Sequence, residues 1–135
     1  MRIGVYGGSF NPIHAAHTAL LTAFARRLLL DRLLLIPAGI PPHKAAPDLA
    51  SGADRMEMCR IAAKGFTVCP VEVLDIEVRR EGKSYTADTL AELKMVYSRN
   101  ELFLLMGEDM FLTVEKWRQP ERIFAEKLEN YLKKE

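Results

Sequence analysis

Short unbroken apolar runs alternate along the chain with longer stretches of helical spacing. Residues 3–6 form a brief apolar run halted by Gly7 and Gly8, the pattern of a buried first strand ending in a glycine turn. Helical spacing follows over residues 17–30, with Leu20, Leu21, Phe24 and Leu28 as its apolar positions. Leu33-Leu34-Leu35-Ile36 is a second unbroken run, closed by Pro37. Unbroken rather than alternating apolarity predicts strands covered on both faces, as in a parallel sheet. Residues 38–53, with Gly39, Pro41, Pro42, Pro47 and Gly52, read as a loop. Helical spacing returns over residues 54–63, capped by Ser51 or Asp54. Residues 66–74 are a third strand, and 75–82 an edge segment or extended connector. A helix follows over residues 86–97 with Thr86 able to cap it, then a fourth strand over 102–106 ending at Gly107. Short helical pieces fall around Phe111-Leu112 and residues 122–124. Residues 125–135 read as a terminal amphipathic helix, with Leu128, Tyr131 and Leu132 on one face and a Glu129 to Lys133 pair outside.

Strands alternating with helices predict an α/β fold, a doubly wound parallel sheet forming a single domain over residues 1–135. Ligands bind such sheets at the carboxyl ends of the strands. Topology alone therefore sends the chemistry to Gly7-Gly8-Ser9, to residues 39–44, to Ser84-Tyr85-Thr86 and to residues 107–109. Composition narrows the class. The 135 residues are 49% hydrophobic, enough for one core, and 19 basic against 18 acidic side chains leave a formal net charge of +1. That balance lacks the basic excess of a nucleic-acid binder. No apolar run approaches the roughly 20 residues of a membrane span. The opening residues 1–5 lack the apolar core of a signal peptide, and Cys59 and Cys69 are too few for a disulfide scaffold. A cytoplasmic domain is expected.

The first turn reads Gly7-Gly8-Ser9-Phe10-Asn11-Pro12-Ile13-His14-Ala15-Ala16-His17. Two glycines let the backbone approach an anion closely, and the next helix offers unpaired N–H groups and its positive dipole end to a phosphate. His14 and His17, three apart, share a face once the helix has begun, where two imidazoles suit donation to phosphate oxygens. The segment matches neither G-x-x-x-x-G-K-[ST] nor G-x-G-x-x-G, which weighs against a Walker site and a dehydrogenase. As a metal site, His-x-x-His lacks a Cys or carboxylate at ligand spacing. A glycine turn beside two ordinary surface histidines is the competing structural reading.

In order along the chain stand Gly-Gly-Ser-Phe-Asn-Pro-Ile-His-x-x-His, Pro41-Pro42-His43-Lys44, Arg55-Met56-Glu57-Met58, Ser84-Tyr85-Thr86-Ala87-Asp88-Thr89-Leu90, and Gly107-x-Asp109 followed by Trp117. Together they resemble the bacterial nicotinate-nucleotide adenylyltransferase family of the HxGH nucleotidyltransferase superfamily, over residues 1–124. The resemblance implies a Rossmann-like sheet and, in NAD biosynthesis, transfer of the adenylyl group of ATP to nicotinate mononucleotide, giving deamido-NAD and pyrophosphate. These two small molecules would be the partners, with Mg²⁺ carried on the ATP phosphates. By the same resemblance His14, His17 and Lys44 are catalytic. Gly8, Ser9 and Phe10 cradle phosphate together with the histidines, and Asp109 accepts from a ribose hydroxyl. His43, Tyr85, Thr86 and Trp117 hold the mononucleotide, Trp117 as a platform for the ring. Structural readings compete: Thr86 as a plain cap, Asp109 as the cap of a following helix, Trp117 as core, His43 as a solvated loop residue. Asp88 and Glu57 belong to helix structure, and Arg79-Arg80 reads as a solvated charge pair.

Two departures from the family pattern stand out. Ala16 occupies the usual Gly position of the histidine motif. An Ile-Ser-Ser-Thr-x-x-Arg-like motif does not occur in the chain, so the sheet is expected to lack the fifth βα segment. The fourth strand would then lie at a sheet edge, unless the terminal helix or a second copy in a homo-oligomer covers it. Two other functions compete: a non-catalytic nucleotide-binding relative with impaired ATP handling, and another adenylyltransferase such as the phosphopantetheine type.

Overall fold

A computed structural model describes residues 1–39, 50–81, 85–107 and 129–133. Among the described residues five strands pair in one parallel sheet: β1 (Arg2–Gly8), β2 (Arg32–Pro37), β3 (Val71–Val73), β4 (Glu101–Gly107) and β5 (Glu129–Lys133). Their order across the sheet is β3-β2-β1-β4-β5. Helices α1 (Ala15–Leu28), α2 (Gly52–Lys64) and α3 (Thr86–Val96) join them. Side chains of a strand alternate between faces, and here both faces are apolar. Ile3, Val5, Leu34, Ile36, Leu102 and Leu104 pack with Ala87, Leu90 and Leu93 of α3. Tyr6, Leu33, Leu35, Phe103 and Leu105 pack on the other face with Leu21, Phe24 and Leu28 of α1 and Cys59 of α2. The expected doubly wound α/β fold is what forms, and the unbroken runs are unbroken because both faces are covered.

Three local expectations need correcting. The third strand is only Val71–Val73: the end of α2 continues through Gly65, whose N–H, like that of Phe66, donates back into the helix. Residues 75–80 form turns and not an extended connector, with the Arg79 N–H on the Asp75 carbonyl and the Arg80 N–H on that of Glu77. Residues 129–133 of the expected terminal helix are instead β5, in register from Phe103↔Glu129 to Gly107↔Lys133. The expected helix over 125–135 falls short of the roughly 12–15 residues an isolated helix needs in water, so it yields to a ladder of backbone hydrogen bonds on an open parallel edge. β4 is therefore an interior strand and a fifth strand is present. The expected helical pieces at 111–112 and 122–124 lie outside the described residues. No helix among the described residues is long and apolar enough to cross a membrane.

Candidate functional site

From β1 the chain winds outward one way to β2 and β3, and the other way to β4 and β5. The winding reverses between β1 and β4, the place where open α/β sheets form their ligand crevice. At the carboxyl end of β1 stands the turn that leads into α1. Phe10 takes a left-handed backbone there (φ 48) and is buried, its ring tilted against Tyr6 at 5.7 Å and edge-on to His17 at 5.3 Å. Gly8 makes room for that ring: a Cβ at Gly8 would lie 3.0 Å from it. The Asn11–Pro12 peptide is cis, and Asn11 Oδ1 accepts from the Ala50 N–H at 3.0 Å. Ser9 lies between, half-buried.

His14 is the N-cap of α1 and His17 its third residue, and the two cap reciprocally. His14 Nδ1 accepts from the Ala16 N–H (3.3 Å), and His17 Nδ1 accepts from the His14 N–H (3.0 Å). A neutral imidazole that accepts at one nitrogen carries its proton on the other. The hydrogen bonds thus assign both rings as the Nε2–H tautomer, leaving two N–H donors side by side with centroids 4.0 Å apart. Burial, and secondarily the neighbouring His14, pushes the His17 pKa below the ordinary histidine value. Neutral donors at a positive helix end are a place for an anion. Ala16 is an ordinary, exposed helical residue, so the usual Gly is not required by backbone conformation at this position.

Gly8, Ser9, Phe10, His14 and His17 are thus brought together. Tyr85 and Thr86 sit at the start of α3, on the opposite face of the sheet. Tyr85 is the N-cap without a side-chain cap bond and Thr86 is the first helical residue, so Thr86 is not the cap. His43, Lys44, Asp109 and Trp117 lie outside the described residues. Glu57 pairs with Arg60 on α2 and Asp88 lies in the first turn of α3, both as helix structure. Arg79 does pair at the surface with Asp75 at 3.1 Å. Arg80 does not belong with it: its guanidinium donates to Thr89 Oγ1 (3.0 Å) and Glu92 (3.1 Å).

One residue has no role in the sequence reading. Arg55, in α2, is 3% exposed, and its guanidinium donates to the carbonyls of Ala50 (2.8 Å), Ser9 (3.1 Å) and Ala38 (2.6 Å). In the sequence it stands only as the first residue of Arg55-Met56-Glu57-Met58, a motif that gives it no partner or role. The Cys59 thiol below it is pushed up to about 11 by burial and stays protonated. Among the described residues no group of three or more His, Cys, Asp or Glu side chains is placed to hold a metal ion.

A family model described as cytidylyltransferase-like matches residues 5–131. The "Probable nicotinate-nucleotide adenylyltransferase" of Citrifermentans bemidjiense is 43% identical over 92% of this chain and 56% of its own. The protein of the same name from Dictyoglomus thermophilum is 42% identical over 91% of this chain and 62% of its own. The chain therefore spans a little over half the length of these curated relatives. Among solved structures, Plasmodium falciparum nicotinic acid mononucleotide adenylyltransferase complexed with NaAD superposes with a TM-score of 0.80 at 19% identity, covering 98% of this chain and 74% of that one. The same enzyme complexed with APC gives 0.75 at 18% identity, over 98% and 73%. At such identities the likeness establishes the fold.

Proposed function

The chain belongs to the cytidylyltransferase-like family, and from that premise we propose that it transfers the adenylyl group of ATP to nicotinate mononucleotide, releasing pyrophosphate and forming deamido-NAD. The observation that carries the reading is the reciprocal capping of His14 and His17, which presents two Nε2–H donors at the start of α1. The names of the relatives that share 42–43% of its residues support the choice of substrates.

The mononucleotide's phosphate oxygen attacks the α-phosphorus of ATP, a bond forms between them, and the bond to the β-phosphate oxygen breaks. No protein nucleophile is needed. The protein aligns two anions and stabilises charge on the equatorial and leaving oxygens. His14 and His17 donate to those oxygens, the backbone N–H groups of Gly8, Ser9 and Phe10 cradle phosphate, and Lys44 neutralises it. Asp109 accepts from the ribose, while His43, Tyr85, Thr86 and Trp117 receive the mononucleotide. Mg²⁺ brought in on the ATP phosphates would supply charge neutralisation, lowering the repulsion between the two anions. The two histidines do not fit as its ligands, because each Nδ1 already accepts a backbone N–H.

The test supplies the chain with Mg²⁺, nicotinate mononucleotide and ATP labelled at the α-phosphate. Labelled deamido-NAD with matching pyrophosphate is expected, and none when phosphopantetheine replaces the mononucleotide. Transfer to phosphopantetheine alone, or no dinucleotide at all, contradicts the proposal.

A further inference from the structure

We propose that Arg55 is the positioning residue of the phosphate-binding turn: it fixes the direction of the Ser9–Phe10 and Ala38–Gly39 peptide groups and thereby aims their N–H groups. Its three carbonyl partners come from three separate segments, namely the turn after β1, the exit of β2, and the approach to α2. A guanidinium offers a rigid planar fork of donors, so it holds these carbonyls in one fixed arrangement. In a trans peptide the C=O and the following N–H point in opposite directions. With the Ser9 carbonyl drawn toward Arg55, the Phe10 N–H is turned away from it, and the Ala38 carbonyl does the same for the Gly39 N–H. Neither N–H has a partner among the described residues. Two further bonds lace the same segments, the Ala38 N–H to the Gly8 carbonyl (2.8 Å) and the Ala50 N–H to Asn11 Oδ1 (3.0 Å). Ala38 and Ala50, on either side of residues 40–49, are thus tied to the turn by Arg55 together with these two bonds.

Stability alone does not account for this placement. Burying a guanidinium is costly unless it is paired, and no carboxylate among the described residues lies within ion-pair distance of Arg55. Among the described residues nothing cancels its charge, which favours an anion in front of the turn.

The ligand in this proposal rests on the adenylyl-transfer reading, so one arm of the test needs no ligand. In the ligand-free chain, hydrogen exchange at the Ala38 and Ala50 amides is expected to be about tenfold faster in Arg55→Lys than in the wild type, with Val5 and Leu104 in β1 and β4 unchanged. Equal rates at Ala38 and Ala50 overturn the proposal. In the second arm, calorimetry with inorganic triphosphate is expected to show a loss on the order of tenfold in Arg55→Lys, with affinity for nicotinate mononucleotide unchanged. Unchanged triphosphate affinity overturns the proposal, and so does an equal loss of both ligands, the mark of a merely structural residue. Should the variant fail to fold, the wild type decides: the Phe10 and Gly39 amide protons must shift when triphosphate is added, and unmoved resonances overturn the claim. A wild-type chain that binds no triphosphate contradicts the adenylyl-transfer reading, and the exchange arm then decides the role of Arg55.

Discussion

His17 is tied down from two sides, by the His14 N–H on its Nδ1 and by the edge of the Phe10 ring. The His14 N–H on Nδ1 requires a neutral ring, and burial acts in the same direction. Protonation would occupy Nδ1 and break the bond that closes the start of α1. The sign of the pH effect follows. The folded state holds the His17 pKa below the unfolded value of 6.5, so the unfolded chain takes up this proton first as pH falls. The contribution of His17 to stability is fully present above pH 6.5 and is lost as pH drops through and below it. Nitrogen-15 spectra of the imidazoles are expected to show the Nε2–H tautomer at neutral pH and a His17 midpoint below 6.5. An Nδ1–H tautomer, or a midpoint above that value, contradicts the assignment. The His14–His17 spacing was legible in the sequence. The tautomers were not, because they depend on the backbone N–H each ring meets.

Between elements, the turns at residues 75–80 are locked to α3 by one small polar network. Thr89, 3% exposed, donates its hydroxyl to Glu77 Oε2 at 2.7 Å and accepts from Arg80 at 3.0 Å, and Arg80 also reaches Glu92. Arg80→Met is expected to lower unfolding stability by about 1–3 kcal/mol in a denaturant titration, because the Thr89 hydroxyl and Glu92 lose their shared donor in a half-buried place. A loss within error would mean that Arg80 is solvated after all, as its place beside Arg79 in the sequence implied. The misreading has a physical reason. The Arg-Arg pair looks uniform along the chain, but the turn aims one guanidinium at Asp75 and the other into α3. The tail shows the same limit at larger scale. The spacing of Leu128, Tyr131 and Leu132 is helical, yet residues 129–133 pair as β5. What decides between them is the open edge of β4, more than 20 residues upstream and invisible to any local window.

For the whole molecule, the architecture follows from the apolar runs. Residues 33–36 are buried throughout, half toward α3 and half toward α1 and α2, as an interior parallel strand requires. The switch point between β1 and β4 then puts the glycine turn and the two histidines at the mouth of the crevice. Those side chains were legible because each carries its own chemistry. Arg55 was not, since its partners are carbonyls 5, 17 and 46 residues away, and every residue has a carbonyl. The central claim is that the paired Nε2–H donors stabilise charge as the adenylyl group moves. The most direct measurement is steady-state dinucleotide formation from ATP and nicotinate mononucleotide by the wild type and by His17→Ala. The expected result is a fall in kcat on the order of a hundredfold or more, the usual cost of losing one such donor, with KM for the mononucleotide within about twofold. A variant that keeps the wild-type kcat, or loses only mononucleotide affinity, would contradict the account.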